Sequence, residues 1–254
     1  MRLSDEELER YARHIILREV GGAGQARLKA ARVLVIGAGG IGAPAIQYLA
    51  AAGIGALTIV DDDHVDRSNL QRQILFATAD IGAGKAETAA ARVAAINPNV
   101  AVRVENRRLS AADAPALIAG HDVVLDGTDN FSTRLAVADA ALAARVPLVS
   151  SAVAEFEGQL GTFRGWEPDK PCYRCFVGRD PEREGISCSE QGVLGALTGV
   201  LGSLAALEVI RALAPFGDDS AGKLLLVDAL ALRFRTLQLP KDPGCPACGA
   251  GTLR

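Results

Sequence analysis

Aromatic side chains are scarce: Phe, Trp and Tyr together make up 4% of the 254 residues. Hydrophobic residues still reach 49%, so a core is available and must be aliphatic and alanine-rich. An excess of either charge is also missing, with 27 Lys and Arg against 30 Asp and Glu and a net charge of −3. A broad nucleic-acid footprint needs a basic face, so nucleic acid is not an expected partner. No apolar run is expected to reach the ~20 residues of a membrane span, which excludes the membrane as well. The first residues, Met1 to Glu9, are acidic and polar, unlike a signal peptide. A cytoplasmic location is the expectation. Cysteine is sparse and odd in number, five in all, and a reducing compartment keeps thiols free, so a disulfide framework is not expected.

What is present is regular. Ser4 and Glu7 form a capping-box pattern ahead of Leu8, Tyr11, Ala12 and Ile15 at helical spacing, with Gly21-Gly22 expected to end that element. A short helix is expected from about Gln25 to Ala31. Val33–Ile36 is a short apolar run, as expected of a strand buried on both faces. A glycine turn, Gly37 to Gly42, then leads into an alanine-rich helix ending at Ala52-Gly53. Leu57–Val60 is the next strand, and it ends in Asp61-Asp62-Asp63. This is a βαβ unit. The alternation continues: a helix near 85–96, a strand near 100–104, a helix near 111–119, the strand Val123–Leu125, a helix near 132–144 and the strand Leu148-Val149. Such alternation predicts a doubly wound, Rossmann-like α/β fold with a mostly parallel sheet. After Ser151 a strand pair is expected within 155–164, a loop over 168–191, a long apolar helix near 193–213 and a late strand over 223–227. No linker divides the chain. We expect one domain over 1–254, with an N-terminal helical arm (1–31), a central α/β part (32–150) and a C-terminal part (151–254).

Gly37, Gly39 and Gly42 fit G-x-G-x-x-G between a strand and a helix. Such glycines permit a tight turn and close backbone approach to phosphate at a helix N-terminus. Asp61 stands where an acid binds ribose hydroxyls, roughly 20 residues on. This motif alone leaves NAD, FAD and ATP open. Asn69-Leu70-Gln71-Arg72-Gln73 and Lys85 then add polar and cationic groups, which suit a triphosphate better than a dinucleotide. Asp129, just past the fourth strand, could hold Mg²⁺ there.

Cys172-x-x-Cys175 and Cys245-x-x-Cys248 have metal-knuckle spacing. Four thiolates make a closed, structural Zn²⁺ site that would tether the C-terminal segment to the loop. Cys188 is left over. It lies at the start of the long helix, where a helix N-terminus favours a reactive thiolate; an inert packed thiol is the alternative.

Gly37-Ala-Gly-Gly-Ile-Gly42, Asp61, Ser68-Asn-Leu-Gln-Arg72, Lys85, Asp126-Gly-Thr-Asp-Asn130 and the split Cys pairs together resemble the E1-like adenylyltransferases. These activate ubiquitin-like sulfur-carrier proteins for molybdopterin or thiamine synthesis. The resemblance spans Arg10-Tyr-Ala-Arg13 to Cys248. It implies a homodimer with one ATP site per subunit, residues 32–150 forming the nucleotide-binding part and 151–254 the carrier-binding and zinc part. Gly40 would meet the phosphates and Asp61 the ribose. Ser68, Asn69, Leu70, Gln71, Arg72 and Lys85 would contact the nucleotide, with Asp129 and Asn130 beside Mg²⁺. Arg13 resembles the arginine that reaches into the partner subunit's site. Cys188 matches the cysteine that handles an acyl persulfide in the thiamine branch. The implied partner is a ubiquitin-like carrier with a C-terminal Gly-Gly tail, and the expected sulfur donor is a separate protein. The implied reaction is ATP-dependent adenylation of the carrier's terminal glycine carboxylate, with the molybdopterin branch ahead of the thiamine branch. A nicotinamide- or flavin-dependent dehydrogenase and a non-enzymatic zinc-stabilised module are the alternatives from other classes.

Overall fold

Five parallel strands form one side of the sheet: β1 (Arg32–Ile36), β2 (Ala56–Val60), β3 (Ala101–Glu105), β4 (Val123–Asp126) and β5 (Leu148–Ala154). The computed structural model describes residues 2–178 and 192–249. Three further strands, β6 (Glu157–Phe163), β7 (Lys223–Asp228) and β8 (Arg233–Gln238), add antiparallel to β5. The sheet order is β3-β2-β1-β4-β5-β6-β7-β8.

Alternation along β1 sends its side chains to two separate cores. Val33 and Val35 join a cluster with Ile46, Leu49, Val93 and Leu201. Leu34 and Ile36 join another with Ile118, Val137 and Tyr173. The first cluster is covered by α4 (Gly42–Ala52), α5 (Lys85–Ile96) and α9 (Gly195–Leu213), and the second by α6 (Ala114–Ile118), α7 (Phe131–Ala144) and α8 (Tyr173–Val177). The doubly wound, mostly parallel arrangement expected from the alternation is the one observed. Strand order reverses between β1 and β4, the place where open α/β sheets bind ligands.

Several boundaries differ from expectation. The N-terminal helix breaks at Tyr11, leaving α1 (Asp5–Arg10) and α2 (Ala12–Ile15). The break lets the Tyr11 hydroxyl accept a hydrogen bond from Asn97 Nδ2 at 2.7 Å. Gly21, expected to end a helix, begins α3 (Gly21–Ala30) instead. β5 runs on to Ala154 because β6 pairs with its whole length. β8 was not expected: every residue in it is exposed, so no apolar alternation marks it. α9 corrects the expectation about apolar runs. Its 19 residues are long and apolar enough to cross a membrane. It packs instead on α4, β5 and β6, with Leu197, Leu201, Ala205 and Val209 buried.

Candidate functional site

The phosphate loop follows β1, and each of its glycines has a different reason to be there. Gly37 adopts φ +88°, a left-handed conformation. A Cβ on Gly42 would stand 1.8 Å from the Gly37 carbonyl oxygen, so the loop closes on the first turn of α4 only with glycine there. A Cβ on Gly39 would meet only Gln73 Nε2, at 3.7 Å, and this leaves the backbone open to a ligand. The loop also touches the turn after β4: Gly127 N donates to Ile36 O at 3.0 Å, and a Cβ on Gly37 would lie 3.1 Å from Gly127 O. The glycine loop and the Asp129 turn are therefore neighbours at the reversal point of the sheet.

Asp61, at the end of β2, accepts from Ala38 N at 2.7 Å and from Asp63 N at 2.9 Å. It braces the glycine loop. Burial raises its carboxyl above the ordinary carboxylate value, against those hydrogen bonds. Asn69 Oδ1 accepts from Asp66 N, and Arg72 donates to Ser68 O at 3.0 Å. Ser68 and Gln71 are exposed, and Leu70 is half-buried against the core. The first turn of α9 packs directly under this segment, with Thr198 Oγ1 3.2 Å from where a Cβ on Gly40 would lie. Lys85 is buried at the start of α5, with Nζ 2.9 Å from Asp63 Oδ2. Asp129 is exposed at the carboxyl end of β4. Asn130 caps α7 by accepting from Thr133 N at 2.9 Å.

Gly40, Asp61, Asn69, Arg72, Lys85 and Asp129 thus lie on the carboxyl edges of β1, β2 and β4 or on the loops leaving them. Arg13 does not join them within one chain. It is exposed on α2, whose neighbours anchor at the far ends of α4 and α5. Arg10 donates to Ile96 O, and Gln25, which bonds His14, donates to Ala52 O. The eleven residues of α4 put about 16 Å between that end and the phosphate loop. Cys188 lies outside the described residues. Sequence reasoning missed Asp63, the counter-ion of Lys85, and Arg134, which pairs with the buried Asp126 at 3.2 Å. The signal for Asp63 was weak, since any of the three aspartates after β2 could have been the partner. A cleft of about 370 Å³ between α9 and β6–β8 holds none of the predicted groups. Its charged residues pair with one another, Arg211 with Glu208 and Lys223 with Asp218.

The four knuckle cysteines converge from both segments, with every Sγ within 4.8 Å of the others. The Cys172–Cys175, Cys172–Cys245 and Cys175–Cys248 sulfur separations are 3.9, 3.6 and 3.4 Å. Disulfides need about 2.05 Å. A tetrahedron of Zn–S bonds near 2.3 Å has edges of about 3.8 Å. The donor set therefore fits a closed zinc site. The Cys172 side chain beside it, with the Asp242 N–H donating to its sulfur, holds the Cys175 thiol well below the ordinary thiol value.

The ThiF family description matches residues 11–247. The chain is 46% identical to the SAMP-activating enzyme E1 of Haloferax volcanii over 250 residues, covering 98% of this chain and 92% of that one. It is 46% identical to the molybdopterin-synthase adenylyltransferase of Escherichia coli over 247 residues, covering 97% and 98%. It is 45% identical to a sulfur carrier protein adenylyltransferase of Thermus thermophilus over 255 residues, covering 98% and 93%. Among solved structures, E. coli MccB superposes with a TM-score of 0.84 at 22% identity, over 99% of this chain and 75% of that one, a likeness of fold. A glycine loop, a set of cations and a free carboxylate at one sheet edge, with relatives of this identity and coverage, lead to one conclusion: the chain belongs to the ThiF family, as an enzyme of the nucleotidyltransferase class.

Proposed function

We propose that the protein adenylates the C-terminal glycine carboxylate of a ubiquitin-like sulfur-carrier protein in molybdopterin biosynthesis. The observation that carries this is the juxtaposition of the glycine loop with the Asp129 turn. It puts a phosphate cradle beside an exposed carboxylate, with Arg72 and Lys85 on the flanking elements. The names of the E. coli and Thermus relatives support this reading, one through molybdopterin synthase and the other through a sulfur carrier.

A carboxylate needs no general base. The carrier's terminus attacks the α-phosphorus of ATP, and pyrophosphate leaves, giving a mixed anhydride that sulfur can later attack. Catalysis then rests on alignment and on neutralising charge. The loop amides and the N-terminus of α4 face the phosphates. Arg72 and Lys85 meet charge that grows on the leaving pyrophosphate. Asp63 holds Lys85 in place until nucleotide arrives. Asp129 and Asn130 are the residues that would hold Mg²⁺, which supplies charge neutralisation on the triphosphate. Zinc at the four cysteines is structural, since the site is coordinatively full.

The distance of Arg13 from its own loop supports a homodimer in which it serves the partner's nucleotide. Ile16 and Leu17 beside it are 68% and 49% exposed, apolar surface suited to a second copy. Leu230, Leu232 and Phe234, also exposed, offer the carrier an apolar face on the antiparallel extension. Sulfur would come from a separate donor. The test is ATP–pyrophosphate exchange with candidate carriers, in a reducing buffer with Mg²⁺. Exchange that requires a Gly-Gly-ended molybdopterin carrier is expected. Exchange with only a thiamine carrier would reassign the branch, and hydride transfer from a nicotinamide without exchange would overturn the function.

A further inference from the structure

Asp129 makes no hydrogen bond or ion pair among the described residues, yet its turn is firmly held by its neighbours. β4 ends on Asp126, whose side chain is fully buried. One of its carboxylate oxygens accepts from Thr128 N at 3.1 Å and from Thr128 Oγ1 at 2.7 Å. The other accepts from Ser150 Oγ at 2.9 Å and faces Arg134 Nε at 3.2 Å. Arg134 rises from the first turn of α7 and is itself buried. It donates to the Thr128 carbonyl and, at 3.4 Å, to the Ser151 carbonyl. Thr128 is thus gripped at its amide, its hydroxyl and its carbonyl. On the other side Asn130 is fixed as the cap of α7. Asp129 stands between two pinned residues.

A buried ion pair is a weak source of stability, because desolvation offsets its attraction. What this pair supplies is a fixed geometry for the residues it grips.

We propose that Arg134 is a positioning residue for adenylation, fixing the turn that presents Asp129. The proposal rests on the role given to Asp129 above. A guanidinium is required, because a single ammonium cannot serve the Asp126 carboxylate and the Thr128 carbonyl together.

The experiment compares Arg134→Met and Arg134→Lys with the wild type and with Asp129→Asn. It reads amide hydrogen exchange at residues 127–133, and separately kcat and KM for pyrophosphate exchange. In Arg134→Met, exchange at Thr128 should rise at least ~10-fold while β1 and β2 amides stay protected, because opening becomes local. Its kcat should fall ~100-fold with KM for ATP nearly unchanged, the loss expected of a ~1 Å misplacement. Arg134→Lys should not restore kcat. Normal Thr128 exchange in Arg134→Lys, or a kcat loss that merely follows global destabilisation, overturns the positioning role. A fully active Asp129→Asn overturns the role of Asp129 instead, and leaves the exchange result standing.

Discussion

Two glycines in the phosphate loop, three residues apart, should respond in opposite ways to the same added methyl. At Gly42 a Cβ would sit 1.8 Å from the Gly37 carbonyl oxygen and 2.9 Å from its carbon. Even a tight 3.0 Å contact requires the loop and the first turn of α4 to part by about 1.2 Å. Overpacking of this kind costs about 1–3 kcal/mol, against up to ~1 kcal/mol gained in helix propensity. We expect Gly42→Ala to lose about 1–2 kcal/mol of stability, a fall of about 2–8 °C in Tm. At Gly39 the methyl meets only Gln73 Nε2, at 3.7 Å, and φ is outside the left-handed region. Gly39→Ala should be as stable as the wild type or better by up to ~1 kcal/mol, through the lower entropy of its unfolded chain. The methyl would nevertheless occupy the backbone face offered to phosphate, and ATP affinity should fall at least ~10-fold, or about 1.4 kcal/mol. Melting curves with and without ATP, together with equilibrium dialysis, separate the two effects. An unchanged Tm for Gly42→Ala would refute the steric argument. Wild-type ATP affinity in Gly39→Ala would mean that the nucleotide does not lie on this face.

Metal analysis of unstripped protein should find about one zinc per chain, and stripping it should lower Tm, because the cysteine cluster joins two distant segments; a folded preparation free of zinc would refute the site. Mixing Arg13→Ala with Asp129→Ala subunits should restore exchange activity, since each hybrid dimer regains one complete site; no recovery after verified subunit exchange would place Arg13 in its own subunit. His121 is buried, with Nδ1 donating to Leu117 O and Nε2 accepting from Thr58, both at 2.8 Å. Burial, with Arg32 and Arg103 nearby, outweighs the Leu117 hydrogen bond and Asp122 and lowers its pKa below the ordinary 6.5. The unfolded chain therefore binds the proton first, so His121's contribution to stability is complete above about pH 6.5 and declines as pH falls below it; an equally steep pH dependence of Tm in His121→Gln would refute this. Cys188→Ala should keep pyrophosphate exchange but lose a reductant-sensitive carrier adduct in intact-mass spectra; absence of the adduct in the wild type would leave Cys188 a packing residue.

The parallel half of the fold was legible because its elements carry their own punctuation. β1 and β2 are buried on both faces and read as continuous apolar runs. α5 starts and stops where its pattern does, at Lys85 and at Asn97-Pro98. The antiparallel extension was harder. β6 contains Gly158 and Gly161, packed against Leu201 and Phe163, and glycine reads as a turn unless the packing is seen. β8 has no buried face, so its pairing with β7 leaves no trace in hydropathy. The Tyr11 break was invisible because the helical period continues through it. What interrupts the helix is a long-range contact with Asn97, 86 residues away.

The site was legible by residue type and less so by arrangement. Motif spacing placed Asp61 and Asp129 just past the ends of β2 and β4 and Lys85 at the start of α5, a consequence of the alternating topology. It could not say that Lys85 waits on Asp63, because pairing is decided by which of three adjacent aspartates faces α5. Nor could it separate Asp126 from Asp129, three residues apart in one turn. The structure gives them opposite fates. Asp126 is fully buried and satisfied by Thr128, Ser150 and Arg134, whereas Asp129 is exposed. A carboxylate can bind an incoming cation only if it is not already neutralised, and it can do so in a defined place only if its backbone is held. The turn meets both conditions by dividing them between two aspartates.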